Sequence, residues 1–334
     1  MKTWNWKRGA LVGGGFLLGS VVVLVAWQGV RAYSAWNSID RVKFDTSEAR
    51  ERLPEGVMPG TGAITPTPTY AEVEYQTVLA IGSDERPDDQ PDRQEGVYAD
   101  AVLFYLAPDN GDNPILVSLP RNLLVINPCI GEETKLDRTL EGCGEDISGP
   151  ELVALTVEDF TGIAVDHFAL FDFDGFMKAI DAVGGVELCV PNALRQGNTD
   201  LLPAGCSVAY GATALNYVRS RTTQELVDGE WQFVEDVSDL NRATRQQQVM
   251  FAMLARLKTI ESPATLAAIA EDLGPAITLS DTLSLSGAVG LAWNLRSVPS
   301  SQIERLIVPT EPVMTADGTF ALRATVAFQE LLEG

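Results

Sequence analysis

The sequence predicts an α/β fold, with a mixed or parallel sheet covered by helices on both faces and one apolar helix ahead of it. Three observations carry this. Short apolar runs such as "TVLAIG" and "PILVSLP" have the length and bounding residues of buried strands. Between and after them come helical patterns with their own start and stop signals, of which "SGPELVALTVEDF" is the clearest. The alternation of the two is the pattern of a helix-covered sheet, in which ligands bind beyond the strand ends.

The N-terminal helix comes first in the chain. Gly9 to Trp27, "GALVGGGFLLGSVVVLVAW", is an uncharged apolar run of 19 residues, long enough to cross a bilayer core. Lys2, Lys7 and Arg8 precede it, and Trp4, Trp6 and Trp27 flank it. Positive charge stays in the cytoplasm, so residues 1–8 are expected as a cytoplasmic tail, 9–29 as a single transmembrane helix, and the remainder outside the cell membrane. The competing reading is a cleaved signal peptide; the run is long for one, and no small-x-small site follows it directly. Residues 30–71 read as a stalk, since "RLPEGVMPGTGAITPTPTYAE" is rich in Pro, Thr and Gly and has few periodic apolar positions. Residues 72–334 form the extracytoplasmic domain.

Within that domain "TVLAIG" is expected to run into Gly82-Ser83-Asp84, "DAVLFYLAP" to start at Asp100, and "PILVSLP" to lead into Arg121. A helix opens at Ser148, with Pro150 in the first turn and Glu151 completing a Ser-x-x-Glu capping box. "DHFALFDF" is a strand, "DGFMKAIDAVGG" a helix closed by Gly184-Gly185, and "VELCVP" another strand. His167 is read as packing in its apolar strand, Asp174 as a helix cap, and Asp88, Asp89 and Asp92 as a solvated loop. Cys129, Cys143, Cys189 and Cys206 allow three pairings; in an exported chain the sequence neighbours are the natural pairs, with unpaired buried thiols as the alternative.

Charge narrows the function. With 24 Lys and Arg against 46 Asp and Glu, the formal charge is −22. That balance argues against nucleic acid as the partner, because phosphate backbones are held by net basic faces. Any anion bound must be held by a local cluster against the field of the whole protein. Such a cluster exists: "LNYVRSR" and "NRATRQQQ" place Arg219, Arg221, Arg242 and Arg245 at the two ends of one acidic loop. Ser238 or Asp239 caps a long helix from Leu240 to about Lys258, whose first turns carry Arg242, Arg245 and Gln246 on one face, where free N–H groups already favour an anion. Tyr217, Arg219 and Arg221 alternate as on an extended segment. The set reads as a clamp for a phosphate-rich ligand. Surface salt bridges to acids such as Glu225 or Asp228 are the alternative, and residues 222–238 between the two ends receive no role.

At this point the pieces resemble a known family. "VLAIGSDER", "ADAVLFYLAP", "LVSLPRNLLV", "KLDRTL", the run from Gly149 to Pro191, "GATALNYVRSR" and "DLNRATRQQQ" follow the order and spacing of the LytR-CpsA-Psr cell-wall proteins, over about Tyr75 to Arg256. The resemblance implies a three-layer α/β/α sandwich with a mixed central sheet and an apolar channel for a lipid. It implies transfer of a glycan polymer from a polyprenyl (undecaprenyl) pyrophosphate carrier to peptidoglycan, with Mg²⁺ as cofactor. Asp84 and Asp100 match the metal-site aspartates, one of which is also placed to take the proton of the attacking hydroxyl. Arg86, Arg121, Arg219, Arg221, Arg242, Arg245 and Gln246 match pyrophosphate-binding positions, and Lys135 matches a motif lysine. The chemistry calls for cations that stabilise charge growing on phosphoryl oxygens. One departure stands out: where the family carries Arg-Ser-Asp-Thr, this chain has Tyr98-Ala99-Asp100-Ala101, which keeps the aspartate and loses an arginine and two hydroxyls. A non-catalytic polyprenyl-glycan binding or regulatory module, or a pyrophosphate hydrolase, is therefore the alternative to the transferase.

Overall fold

The computed structural model describes residues 33–54, 73–84 and 97–333, apart from 35, 221, 235–238 and several residues between 261 and 276. The expected membrane helix over 9–29 lies outside them. Among the described residues no helix is long and apolar enough to cross a membrane.

The centre is a seven-stranded mixed sheet. Its strands are β1 (Asp40–Val42), β2 (Tyr75–Ser83), β3 (Ala99–Pro108), β4 (Ile115–Leu119), β5 (His167–Phe171), β6 (Ile277–Ser280) and β7 (Glu304–Ile307). They lie in the order β1-β6-β5-β2-β3-β4-β7. β2, β3 and β4 form an antiparallel meander, whereas β2 runs parallel to β5 and β4 parallel to β7. Helices cover both faces. Against one, Leu79, Ile81, Val102, Phe104 and Val117 pack on Val153, Ala154 and Val157 of α2 (Gly149–Thr161). Against the other, Leu103 and Leu116 meet Phe251 of α5 (Asp239–Lys258). Alternate residues of each strand thus enter opposite cores, as the pleat requires.

Local chemistry fixes the helix starts. Both the backbone N–H and the hydroxyl of Ser148 donate to the Glu151 carboxylate, at 3.0 and 2.8 Å, so the capping box holds α2 in place. The helix α3 (Phe173–Ala182) is capped by Asp172, whose carboxylate accepts from the Gly175 N–H at 2.6 Å. Asp174, expected in that role, instead pairs with Lys178 one turn on, at 2.6 Å. The helix α4 (Gly211–Arg219) packs so closely on α3 that a Cβ at Gly211 would stand 2.4 Å from the Met177 carbonyl oxygen. α3, α4 and α5 share a second core, built on Ile180, Leu188, Leu215, Val218 and Val249.

Three expectations are corrected. Residues 40–53 are part of the fold, not of a stalk. β1 pairs with β6, Phe44 packs edge-on against Phe168 with ring centroids 5.1 Å apart, and Asp45 caps α1 (Thr46–Glu51). Arg50 then reaches Glu158 at 3.0 Å and Asp159 at 2.7 Å on α2. Second, Tyr217 and Arg219 are helical, in the last turn of α4, rather than extended. Third, residues 223–233 are a hairpin, Thr223–Val227 with Glu230–Phe233, which joins Leu194–Gln196 and Thr199–Leu202 in a four-stranded sheet. The strand Val186–Val190 also leaves the central sheet and pairs with Gly205–Ala209. Both disulfides join sequence neighbours, Cys129 to Cys143 and Cys189 to Cys206, the latter directly opposite each other in that last pair.

Candidate active site at one edge of the central sheet

Chain direction gathers the site. β2 ends at Ser83 and delivers Asp84; β3, antiparallel to it, begins at Ala99 and delivers Asp100 at the same edge. β4 runs back to that edge and is followed by Pro120 and Arg121, and β5, parallel to β2, ends there at Phe171. This is the place at which open α/β sheets bind ligands.

The Asp84 carboxylate accepts the Tyr98 N–H at 2.8 Å, while the Asp84 N–H donates to the Tyr98 carbonyl at 3.0 Å, so the two segments are locked together. Burial raises the pKa of Asp84, and the nearby Asp100 carboxylate adds to it; the Tyr98 N–H and Arg121 work the other way. Arg121 donates to Asp100 at 2.7 Å, with less than a fifth of either side chain exposed. Gln246 of α5 donates to the Asp100 carbonyl at 3.3 Å, and Gln247 donates to the Ser118 hydroxyl and the Leu306 carbonyl at 2.9 and 2.8 Å. Adjacent glutamines thus fasten the first turns of α5 to three strands.

Beside this edge lies a cavity of about 440 Å³ between the sheet and α3, α4 and α5. Asp100, Arg219, Arg242, Gln246, Asn216 and Gln196 are polar groups in its lining. Leu103, Phe176, Leu215, Val218, Val249, Met250 and Met253 make up most of the rest. Arg219 also lies over the Phe173 ring, 4.0 Å from its centroid. Arg242, Gln246, Val249, Met250 and Met253 form one stripe of α5, polar toward its N-terminus and apolar beyond.

The structure divides the residues singled out in the sequence. Asp84, Asp100, Arg121, Arg219, Arg242 and Gln246 converge on this edge and cavity. Arg86 and Arg221 lie outside the described residues. Lys135 ends the strand Glu132–Lys135 and stands near Asp137 rather than in the cavity lining. Arg245 turns to the protein: its guanidinium donates to the carbonyls of Tyr217 and Ser220 at 2.9 and 2.7 Å and to the Thr223 hydroxyl at 3.0 Å. Arg242 and Arg245, three residues apart, therefore do different work, one facing the cavity and the other holding the end of α4.

Asn216, Gln196 and Asp137 escaped the sequence reading. Asn216 lies three residues before Arg219, a spacing that carries meaning once that segment is read as helix. Asp137 stands in "KLDRTL", two residues after the motif lysine Lys135, with no spacing signal of its own. It is buried, its Oδ1 has no hydrogen-bond partner, and burial pushes its pKa up to about 6 against the pull of Arg121 and Lys135. The native state therefore keeps this proton to higher pH than the unfolded chain does. The stability it supports is complete below the unfolded value near 3.8 and lost as pH rises through about 6. Asp137→Asn should raise stability at pH 7.5 by about 1–3 kcal/mol, a gain in Tm of roughly 2–4 °C per kcal/mol, and leave it nearly unchanged at pH 4. Thermal melts at the two pH values check this; equal shifts at both would show that Asp137 is not a buried titrating group.

The fold and the site together define an α/β domain that sets carboxylates and arginines at the mouth of a largely apolar cavity. The chain belongs to the LytR_cpsA_psr family, whose sequence profile matches residues 44–329. It is 30% identical over 267 residues to the probable cell wall biosynthesis protein LcpB of Corynebacterium glutamicum, covering 75% of this chain and 57% of that protein. It is 26% identical over 205 residues to the polyisoprenyl-teichoic acid–peptidoglycan teichoic acid transferase TagU of Oceanobacillus iheyensis, covering 61% of this chain and 58% of that one. The chain thus spans a little over half the length of these two relatives. Among solved structures, the LytR-Csp2A-Psr enzyme from Actinomyces oris superposes with a TM-score of 0.63 at 23% identity, over 88% of this chain and 94% of that one.

Proposed function

We propose that this chain is a membrane-anchored phosphotransferase that moves a glycan polymer from a polyprenyl pyrophosphate carrier to peptidoglycan outside the cell membrane. The observation that carries the reading is the cavity itself, apolar along α3, α4 and α5 and ringed by Arg219, Arg242, Gln246 and the Arg121–Asp100 pair. That is the shape and chemistry of a lipid tail with a pyrophosphate head. The TagU relative, by its name, acts on a polyisoprenyl-linked polymer and peptidoglycan, and Gly9–Trp27 supplies the anchor.

In this reading Arg121, Arg219 and Arg242 hold the pyrophosphate oxygens, joined by Arg86 and Arg221. An acceptor hydroxyl attacks the phosphorus that carries the glycan. A new O–P bond forms, the P–O–P bond to the lipid phosphate breaks, polyprenyl phosphate leaves as an anion, and the hydroxyl proton passes to the Asp84 carboxylate, delivered to this edge by the end of β2. The donor set fits Mg²⁺ of the kind that also takes substrate phosphate: two close carboxylates, with no group of three His, Cys, Asp or Glu able to hold a metal by itself among the described residues. Asp84 and Asp100 would hold the ion, which when bound neutralises charge on the phosphoryl oxygens.

A binder without turnover draws support from Ala99 and Ala101, which bring no hydroxyl to the site. One assay separates the readings. The purified full chain is incubated with a polyprenyl-pyrophosphate glycan, Mg²⁺ and peptidoglycan fragments, and the products are followed by mass spectrometry. Linked glycan–peptidoglycan with release of polyprenyl phosphate is expected; tight lipid binding with no product across several acceptors would establish the binder.

A further inference from the structure

The cavity accounts for the donor and leaves the second substrate without a seat. The lipid and its pyrophosphate are held by α3, α4, α5 and the sheet edge, yet a sugar strand bearing the attacking hydroxyl must also be held beside the mouth. The four-stranded sheet adjoins that mouth: Gln196, at the end of Leu194–Gln196, lines the cavity. Adjacent residues of a strand point to opposite faces, so Arg195 points away from the cavity onto the outer face. Arg195 is the register partner of Gln224, and Gln224 of Phe233, which sets the three in one row across the sheet, with Asp200 on the far side of Arg195. Two strand spacings make that row about 10 Å long, on the order of a disaccharide.

The groups on this face are those of a carbohydrate platform. Phe233 is 64% exposed, a large aromatic with no packing role to explain it. Trp231 lies two residues before it, on the same side. The Arg195 guanidinium lies over the Trp231 ring, 4.1 Å from its centroid, and is pinned by its Nε, which donates to the Gln224 side chain at 2.9 Å. Among the described residues neither terminal nitrogen of Arg195 has a hydrogen bond or an ion pair; Asp200 stands opposite it on the neighbouring strand and makes no ion pair with it. In a chain of formal charge −22, a guanidinium held rigid and left open is a preorganised seat for a carboxylate. Aromatic faces beside it supply rigid contact area at low entropic cost.

We propose that the outer face of this sheet, built on Arg195, Gln224, Trp231 and Phe233, docks the acceptor: an amino-sugar glycan strand carrying carboxylates, as peptidoglycan does. This rests on the transferase reading for the identity of the acceptor. The donor polymer is the less suited occupant, since its lipid and pyrophosphate already anchor it.

The test measures direct binding of muramidase-released peptidoglycan oligosaccharides to the full chain, alongside binding of farnesyl pyrophosphate as a probe of the cavity. Phe233→Ala and Arg195→Ala should each weaken oligosaccharide binding by about tenfold or more and leave farnesyl pyrophosphate binding unchanged. Arg195→Lys should restore little of it, because the stacked, bidentate geometry is lost. Oligosaccharide affinity equal to wild type in both alanine variants would overturn the platform, as would equal losses on both ligands or a change in oligomeric mass in place of a change in sugar binding. A wild type that binds the oligosaccharide but not farnesyl pyrophosphate would uphold the platform and sink the polyprenyl-pyrophosphate reading; the opposite result would do the reverse.

Discussion

Replacing Asp100 with asparagine should lower transfer at least about a hundredfold while leaving lipid pyrophosphate bound. Asparagine keeps the shape of the side chain, and its Oδ1 can still accept from Arg121, which now donates to the Asp100 carboxylate at 2.7 Å. The Gln246 bond to residue 100 is to its carbonyl, so the contact with α5 also stays. What changes is charge. Two close carboxylates repel a pyrophosphate and attract a divalent cation; one does both more weakly. Without metal, farnesyl pyrophosphate should therefore bind Asp100→Asn as tightly as wild type or more tightly. With metal, release of polyprenyl phosphate should collapse, because charge growing on the phosphoryl oxygens loses its counterweight. Isothermal titration in chelator and a product assay in Mg²⁺ give the two readouts. Transfer within threefold of wild type, or a loss of metal-free binding that matches the loss of transfer, would refute this role for Asp100.

The sheet edge was legible because its elements speak locally. Each strand that carries Asp84, Asp100 or Arg121 is a short apolar run, and α2 announces itself through Ser148 and Glu151. Where local signals were silent, the reading failed. α4 has no side-chain cap at Tyr210 and begins at a glycine, so "LNYVRSR" showed only the alternation of its last residues. Its helical form is decided by packing on α3, where Gly211 lets the two helices touch. The hairpin over 223–233 did carry a signal: Asp228-Gly229 sits between the two paired strands, both residues at positive φ, 52° and 84°. The turn is embedded in a run of acidic and polar residues without strict alternation, which masks its flanking strands. Residues 40–53 were overshadowed by the Pro- and Thr-rich run that follows, although Asp45 and Glu48 open a short helix there. The different fates of Arg242 and Arg245 were beyond spacing altogether. Both lie within one turn of α5, and only the carbonyls presented by the end of α4 decide which one turns inward.

That division leads to the second large effect. Arg245→Ala should destabilise the fold and disarm the site together, whereas Arg219→Ala should only weaken ligand binding. Arg245 is a desolvated cation, its pKa lowered by burial. Its donations to the Tyr217 and Ser220 carbonyls and the Thr223 hydroxyl tie the end of α4 to α5. Removing it leaves the last carbonyls of α4 without this donor where water reaches them poorly, at a cost of about 3 kcal/mol or more, or roughly 6–12 °C in Tm for a domain of this size. Lysine should recover little, since one ammonium cannot span the two carbonyls and the hydroxyl as the planar fork does. The end of α4 is also what aims Arg219 at the cavity, over the Phe173 ring. Loosening it should cost farnesyl pyrophosphate affinity as much as deleting Arg219 itself, about ten- to a hundredfold. Melting curves paired with binding isotherms for Arg245→Ala, Arg245→Lys and Arg219→Ala decide the matter. If Arg245→Ala melts with wild type and loses affinity alone, its side chain meets the ligand directly and the clamp holds one more arginine than this geometry assigns it. If it melts early but binds normally below its Tm, the end of α4 holds its shape without Arg245, and Arg219 is positioned by its stacking on Phe173.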